Sequence, residues 1–237
     1  SMSHELRTPL NAIIGYSELL REDAEAEGNA NAMKDLDRIS GAGKHLLGLI
    51  NEVLDLSKIE AGRMELAPDD INVGDHLDGL AATVRPLAAK TGSTLRWSGL
   101  EFPLLAHTDS TKLTQCLLNL LSNACKFTQN GTVELTVSTS GEDIYFTVAD
   151  TGIGMSPEHL NRLGEAFLQA DASTTRQYGG TGLGLSICRS LTGLLGGRLE
   201  VTSELGSGTA FTVRLPLGLT EQPATSERRS QQSRWRV

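Results

Sequence analysis

The apolar residues between positions 6 and 57 recur at coiled-coil spacing, and this pattern restricts the fold more than any other feature of the chain. In each of two segments, apolar or small residues alternate steps of four and three, which places them along one narrow seam of a helix. The first seam comprises Leu6, Leu10, Ile13, Ser17 and Leu20, and the second comprises Leu36, Ile39, Gly43, Leu46, Ile50, Val53 and Ser57. The acidic, glycine-containing residues 22–31 are expected to form the turn between the two helices. Because a two-helix hairpin cannot cover such a seam by itself, the pattern predicts a dimer that forms a four-helix bundle.

The pattern changes after Ala61 and Gly62, which mark the expected hinge to a second domain. Helical periodicity predicts helices near residues 73–90, 109–126 and 183–195. Alternating residues predict strands at 132–139, 143–149, 198–202 and 209–215, with turns at Gly141 and at residues 206–208. Helices layered on one mixed sheet give an α+β fold. The expected domains are 1–62, a helical hairpin, and 63–218, an α/β sandwich; residues 219–237 are polar without an apolar period and are expected to be disordered.

The charge balance restricts the partners of the chain. A net charge of -8 argues against nucleic acid or an anionic membrane as a partner, because both require a basic face. No apolar run approaches the ~18 residues of a membrane span, and no signal peptide is recognisable. We therefore expect a cytoplasmic piece without membrane contact, which could belong to a longer membrane-anchored or soluble protein. The three cysteines, Cys116, Cys125 and Cys188, are expected to be buried and reduced.

The stretch SHELRTPL, residues 3–10, holds the first candidate for chemistry. Its two leucines lie on the seam, so His4 lies off the seam and is expected to face solvent. Glu5 is adjacent, and Thr8 lies one helical turn along the same face. An exposed neutral imidazole is a good nucleophile toward a phosphoryl group, and an adjacent carboxylate can accept its proton or orient its ring. Taken alone, however, a surface histidine is the plainer interpretation.

The stretch NLLSNACKFT, residues 119–128, carries a second group of polar residues. Asn119 and Asn123 are four residues apart on one helix face, and Lys126 follows three residues later. Two carboxamides and an ammonium group on one stripe suit a hard metal ion together with a phosphate chain. The alternative is a solvated polar face with an incidental pair of asparagines.

Two glycine-containing stretches complete the set of candidates. DTGIGM, residues 150–155, follows an apolar strand directly; Asp150 could accept a hydrogen bond from an exocyclic amine such as that of adenine, and Gly152 and Gly154 would allow the backbone to approach a flat ligand. GGTGLGLS, residues 179–186, leads into a helix whose first amides favour phosphate. It is not a dinucleotide fingerprint, because Ile187 stands where the third glycine should be, and it contains no Gly-Lys-Ser/Thr of a P-loop.

In this order and spacing, the segments closely resemble those of the sensor histidine kinase family over residues 3–217. SHELRTPL is similar to the phosphoacceptor box, residues 119–128 to the asparagine box, and DTGIGM and GTGLGL to the two glycine boxes. EAFLQAD, residues 165–171, is similar to the phenylalanine box, although the family often has Pro rather than Ala before Phe167. The resemblance implies a dimerisation and phosphotransfer hairpin, followed by the ATPase sandwich that gyrases, heat-shock chaperones and mismatch-repair ATPases share.

The resemblance also implies roles for individual residues of the hairpin. His4 would be the phosphoacceptor, Glu5 the base that activates it, and Thr8 the residue that positions water when the same protein dephosphorylates its partner. The expected partners are a second copy of the chain, bound through the hairpin, and the receiver domain of a response regulator.

The resemblance assigns the remaining candidates to a site for ATP and Mg²⁺. Asn123 would bind the metal with Asn119 beside it, Lys126 would contact phosphates, and Asp150, supported by Gly152 and Gly154, would bind adenine. The phosphates would be held through Gly180, Thr181, Gly182, Leu183 and Gly184. Phe167 of the phenylalanine box, and Arg176 and Tyr178 of an expected mobile lid, complete the site; Arg176 is the candidate contact of the γ-phosphate.

The function that the resemblance implies is autophosphorylation on histidine followed by transfer to an aspartate. Three alternatives remain open at this point. The protein could act mainly as a phosphatase of a response regulator, or as a non-catalytic ATP-binding scaffold. A DNA-gating or mismatch-repair ATPase is the third alternative, and the acidic balance and the His-bearing hairpin count against it.

Overall fold

The computed structural model describes residues 2–99, 104–163 and 182–218, apart from the side chains of residues 2–4 and 161. The chain divides into two compact units between Met64 and Glu65. Within the described residues, none of the helices combines the length and the apolar character needed to cross a bilayer.

The first unit is an antiparallel pair of long helices, α1 (Met2–Ala26) and α2 (Ala30–Glu60). The turn between them is shorter than the residues 22–31 that we expected, because residues 22–26 contain no glycine or proline and continue the helix. Gly28, at φ 68°, ends the helix in the left-handed conformation. Asn29 then begins α2, where its side-chain oxygen accepts a hydrogen bond from the amide of Ala32 at 3.1 Å.

The apolar seam of this hairpin is divided between two environments. Leu10 and Ser17 of the first seam and Gly43 of the second are buried, together with the neighbouring Ile14 and Ser40. The helices approach closely at Gly43, where a Cβ atom would lie 2.8 Å from Cγ1 of Ile14. The other half of the seam is between 43% and 53% exposed and recurs every seven residues; it consists of Leu6, Ile13 and Leu20 on α1 and Ile39, Leu46 and Val53 on α2. We call these six residues the exposed stripe.

Polar pairs between the two helices fix their register. Lys44 forms an ion pair with Glu18 at 2.7 Å, and Arg21 forms one with Asp37 at 2.8 Å. Both pairs are exposed, so each stabilises the hairpin only weakly.

The second unit combines a five-stranded sheet, a two-stranded sheet and four helices among its described residues. In chain order the elements are β1 (Asp69–Asn72), α3 (Val73–Lys90), β2 (Thr94–Ser98), β3 (Leu105–Thr108), α4 (Ser110–Phe127), β4 (Thr132–Ser140), β5 (Asp143–Asp150), α5 (Pro157–Asn161), α6 (Gly184–Leu194), β6 (Arg198–Glu204) and β7 (Gly208–Pro216). The order of the larger sheet is β2-β4-β5-β7-β6. β2 pairs with β4 in parallel, and the other neighbours pair antiparallel, so the sheet is mixed as expected.

The core lies between this sheet and the helices α3, α4 and α6. Burial alternates along β4 and β5, as period-2 strands with one covered face require. Helix α4 is central, because it contacts α3, α6, β4 and β5. The inward side chains of α4 are almost completely buried: Leu113, Cys116, Leu117, Leu120, Leu121, Ala124 and Cys125. This apolar face fixes the rotation of α4 and therefore determines which of its residues point away from the core.

Candidate functional site

The polar stripe of α4 carries two asparagines that contact each other. Nδ2 of Asn123 donates a hydrogen bond to Oδ1 of Asn119 at 3.0 Å, as residues four apart on one helix face can do. Both side chains are partly exposed, whereas the leucines on the opposite face are buried. In this arrangement Oδ1 of Asn123 is an acceptor of the kind that a hard cation such as Mg²⁺ prefers. The donor chemistry of this side chain therefore fits the expected metal.

The start of α6 lies against this pair. A Cβ atom at Gly184 would lie 2.3 Å from Nδ2 of Asn119, so a larger residue here would displace the Asn119 carboxamide. Gly182 adopts φ 70°, and Leu183 is buried beneath the turn, where its carbonyl accepts a hydrogen bond from Ser186 Oγ at 2.7 Å. The first amides of a helix lack partners within the helix and carry partial positive charge, so they bind anions. The structure thus brings Gly184, one of the residues predicted to bind phosphate, into contact with Asn119, and Gly182 and Leu183 directly precede it in the chain.

Lys126 lies near the end of α4, three residues beyond Asn123. Its Nζ lies 5.0 Å from the centroid of the Phe127 ring. Partial burial lowers the pKa of Lys126, because it removes water from the charged form. A nearby anion such as a phosphate would oppose this effect and stabilise the ammonium group.

Asp150, the last residue of β5, lies beyond the other end of the polar stripe. Burial raises the pKa of its carboxyl group; hydrogen bonds from the backbone N–H groups of Gly152 and Thr209 oppose that rise, and so does the hydroxyl of Thr128. The bond from Gly152 N to Asp150 Oδ1 is 2.8 Å long. Burial, together with the charge of Asp150, also raises the pKa of the Cys125 thiol, so this side chain of α4 faces the carboxylate. A half-buried acceptor at this position is suited to a hydrogen-bond donor on a bound base.

The two glycines after Asp150 lie in close contact with the backbone of other segments of the protein. A Cβ atom at Gly152 would collide with the carbonyl of Phe127, and one at Gly154, at φ 63°, would collide with the carbonyl of Glu204. We expected both glycines to allow a ligand to approach. The contacts at these positions join the loop after β5 to the end of α4 and to the end of β6, and the approach of a ligand stays a prediction.

Residues that the sequence did not single out also hold this loop. Ser203 Oγ accepts a hydrogen bond from the amide of Met155 at 2.9 Å and lies 2.8 Å from Oγ1 of Thr209. Thr209 is paired with Asp150 across β5 and β7. Their only sequence signal is the glycine-flanked turn that precedes β7. Thr128 is the last residue of the motif NLLSNACKFT.

The hairpin carries the other predicted residues on α1. His4 lies in the first turns of this helix, and its side chain is outside the described part of the structure. Glu5 and Thr8 are exposed, and Pro9 lies inside the helix. The predicted nucleotide contacts Phe167, Arg176, Tyr178, Gly180 and Thr181 fall outside the described residues.

Two family models match the chain. Residues 1–62 match the "His Kinase A (phospho-acceptor) domain", and residues 108–219 match the "Histidine kinase-, DNA gyrase B-, and HSP90-like ATPase". The chain belongs to the sensor histidine kinase family. The predicted fold, a helical hairpin followed by an ATPase-type domain, is thereby confirmed.

Several relatives of this sensor histidine kinase chain are similar over nearly all of its length. The "Histidine protein kinase DivJ" of Caulobacter vibrioides is 41% identical over 95% of this chain and 38% of its own. The "Autoinducer 2 sensor kinase/phosphatase LuxQ" of Vibrio parahaemolyticus is 39% identical over 91% of this chain and 26% of its own. The chain therefore spans between about a quarter and two fifths of the length of these two relatives.

Solved structures are similar to this sensor histidine kinase chain as well. Full-length ShkA in complex with AMPPNP is 36% identical, with a TM-score of 0.75 over 91% of this chain and 44% of its own. The Acinetobacter baumannii histidine kinase AdeS shares the fold, with a TM-score of 0.64 over 90% of this chain at 19% identity.

Proposed function

We propose that this kinase binds Mg-ATP along α4 of its second unit, transfers the γ-phosphoryl group to His4, and passes it on to an aspartate of a response-regulator receiver domain. The assignment of the nucleotide site is based on the distance between the two ends of the polar stripe of α4. At one end of its polar stripe, Asn119 contacts Gly184 at the start of α6; at the other, the carbonyl of Phe127 packs on Gly152 beside Asp150. Asn119 and Phe127 are separated by about 12 Å along the axis, at 1.5 Å per residue. An extended adenosine triphosphate needs such a separation between a group that binds adenine and groups that bind phosphates.

The residues of the second unit would position the nucleotide rather than react with it. Asp150 would accept a hydrogen bond from the exocyclic amine of adenine, and the amides of Gly182 to Gly184 would bind the phosphates together with Lys126. Asn123, with Asn119 beside it, would hold Mg²⁺, which neutralises developing charge on the phosphate oxygens when bound. Phosphoryl transfer depends on such positioning and charge neutralisation more than on covalent participation of the protein.

The chemical step would take place on α1. A neutral imidazole nitrogen of His4 forms a bond to the γ-phosphorus while the bond from that phosphorus to the bridging oxygen of ADP breaks. The carboxylate of Glu5 accepts the proton that the other ring nitrogen releases. ADP leaves, and the phosphoryl group stays on His4 until a receiver aspartate attacks it.

Apolar surfaces of the hairpin support the proposal of two binding partners, a second copy of the chain and a receiver domain. The exposed stripe is apolar and regular, and a second copy of the hairpin would cover it in a four-helix bundle, so we propose a homodimer. Tyr16 and Leu19 are 69% and 59% exposed, lie outside the stripe, and share a face three residues apart. They form an apolar patch on α1, the helix that carries His4, where a receiver domain could dock. Both ATP and receiver domains are cytoplasmic, so we place this part of the protein in the cytoplasm.

Incubation with γ-labelled Mg-ATP separates an active kinase from a nucleotide-binding scaffold. We expect an acid-labile, base-stable label on the protein, because a phosphorylated histidine has that stability. Binding of ATP without any label would favour the scaffold instead. The matched control is the same incubation in the presence of a chelator of Mg²⁺, which should abolish the label.

A phosphatase activity toward the receiver domain is the second candidate, and the position of Thr8 on α1 favours it. Thr8 is exposed and follows His4 by one helical turn, so it could align an attacking water molecule. The variant Thr8→Ala should retain autophosphorylation and lose dephosphorylation of the phosphorylated receiver, with both rates measured on one preparation. Equal loss of both activities would instead indicate a structural role for Thr8.

A further inference from the structure

Thr128, directly after α4, is a buried polar residue. Its relative exposure is 0%, and among the described residues its Oγ1 has no hydrogen-bond partner of normal geometry. A buried hydroxyl without a partner is destabilising and uncommon in native structures. Its presence here therefore requires an explanation other than packing.

The surroundings of Thr128 hold its side chain in one place. Its backbone is extended, at φ -110° and ψ 127°, and its carbonyl accepts a hydrogen bond from Ser93 Oγ at 3.1 Å. On another side, a Cβ atom at Gly131 would lie 2.6 Å from the Thr128 methyl group Cγ2. The hydroxyl is thus presented by a fixed backbone and a tightly packed methyl group.

The end of α4 that carries Thr128 lies next to Asp150: a Cβ atom at Gly152 would lie 2.4 Å from the carbonyl oxygen of Phe127, the residue before Thr128, and 2.8 Å from Oδ1 of Asp150. The hydroxyl of Thr128 acts with the N–H groups of Gly152 and Thr209 to lower the pKa of the Asp150 carboxyl, against the larger effect of burial. Among the described residues, however, Oγ1 of Thr128 forms no regular hydrogen bond. The Cys125 thiol also faces this carboxylate.

We propose that Thr128 is a positioning residue for recognition of the nucleotide base. When adenine is bound, the hydroxyl of Thr128 donates its hydrogen to the carboxylate of Asp150 and keeps an acceptor lone pair of that carboxylate directed at the exocyclic amine. The two backbone N–H groups alone leave the carboxylate able to rotate, whereas a third donor on another element fixes its plane. This role rests on the proposed binding of adenine by Asp150.

Calorimetric titration with ADP tests this role in the full chain. The variant Thr128→Val keeps the branched shape and removes the hydroxyl; we expect it to weaken ADP binding about tenfold, as loss of a hydrogen bond to a charged group does. The pair Thr128→Ser and Thr128→Ala differ only in the hydroxyl, so Ser should bind ADP within about twofold of the wild type and Ala about tenfold more weakly. This second pair decides the matter if the Val variant does not fold.

A pH series adds a result that loss of packing alone would not produce. Because the hydroxyl lowers the pKa of Asp150, its removal raises that pKa further, and binding requires the carboxylate. ADP affinity of the Val and Ala variants should therefore begin to fall at a higher pH than that of the wild type and the Ser variant.

The chain offers a matched control in Thr108→Val. Thr108 is 2% exposed, and its Oγ1 likewise has no hydrogen-bond partner among the described residues, but it precedes the opposite end of α4, about 27 Å away along the helix. ADP affinity should be unchanged in this variant.

The possible outcomes distinguish a failure of the role proposed for Thr128 from a failure of the proposed binding of adenine by Asp150. Wild-type affinity in folded Thr128→Val, or equal affinities of the Ser and Ala variants, would overturn the role of Thr128. Equal loss in Thr108→Val would overturn it too, since the effect would then be general. If the wild type binds no ADP, or if Asp150→Asn binds it equally well, adenine recognition by Asp150 itself is wrong.

Discussion

The helical hairpin and the sheet-containing unit bury their apolar residues in different ways. The second unit closes its core within one chain, with α4 and the inward faces of β4 and β5 almost fully covered. The hairpin covers only half of its seam and leaves the exposed stripe at 43% to 53% exposure. The second unit should therefore be stable at any protein concentration, whereas the hairpin should gain stability from a second copy. The proposed functions differ in the same way. Binding of ATP requires only one chain, whereas a stable helix that carries the phosphoacceptor requires two.

The largest effect that can test this contrast is the loss of stability caused by a cavity in the core of the second unit. Phe146 of β5 is 0% exposed, so Phe146→Ala should lower the free energy of unfolding of this unit by about 3–5 kcal/mol. The loss should be the same at all protein concentrations, as followed by chemical denaturation. Tyr145→Ala, on the other face of the same strand, is the matched control and should cost much less. A concentration-dependent loss in Phe146→Ala would contradict the view that this core is complete in one chain.

A substitution on the exposed stripe should instead affect the association of two chains. Leu46→Ala removes one stripe residue from each of two chains, at about 1.5 kcal/mol each, and should therefore weaken dimerisation about a hundredfold. Sedimentation equilibrium measures this change. Leu19→Ala, an equally large apolar residue outside the stripe, should leave the dimer unchanged. If both variants dimerise like the wild type, the stripe is not the dimer surface.

The smallest effects come from two glycines of α2 with different surroundings. No atom lies within 4 Å of a Cβ placed at Gly48, so Gly48→Ala should stabilise the helix by about 0.5–1 kcal/mol. Gly43→Ala should destabilise the hairpin, because its Cβ would lie 2.8 Å from Cγ1 of Ile14. Thermal unfolding followed by circular dichroism should show opposite shifts. A stabilising shift in Gly43→Ala would show that the close approach of α1 and α2 at Gly43 is wrong.

The long elements of both units were predictable because their apolar periods extend over many residues. Helix α3 begins and ends where its periodicity predicted, and the hairpin β4–β5 turns at Gly141, whose φ of 62° suits glycine. Strands β1 and β3 were missed because each has only four residues, too few for a period to show. The edge strand β2 was missed as well, since its parallel partner β4 lies far along the chain.

The candidate site was predictable as a set of motifs but not as a set of contacts. Spacing alone placed Asn119 and Asn123 on one face, and their hydrogen bond agrees with it. The contact between Asn119 and Gly184 depends on how α6 packs against α4, which no local pattern specifies. Packing between elements also brings Thr128 and Thr209 close to Asp150, so neither residue could be predicted there from the sequence. For the same reason, the sequence did not predict which seam residues are buried and which form the exposed stripe.

The central claim is that the second unit supplies a phosphoryl group to His4, and labelling of a single variant tests it most directly. His4→Gln should bind ATP with an affinity within a few-fold of the wild type, because His4 lies outside the nucleotide-binding unit. After incubation with γ-labelled Mg-ATP, the wild type should carry an acid-labile label and His4→Gln should carry none. An acid-labile label on His4→Gln that matches the wild type would contradict the assignment of His4 as the phosphoacceptor.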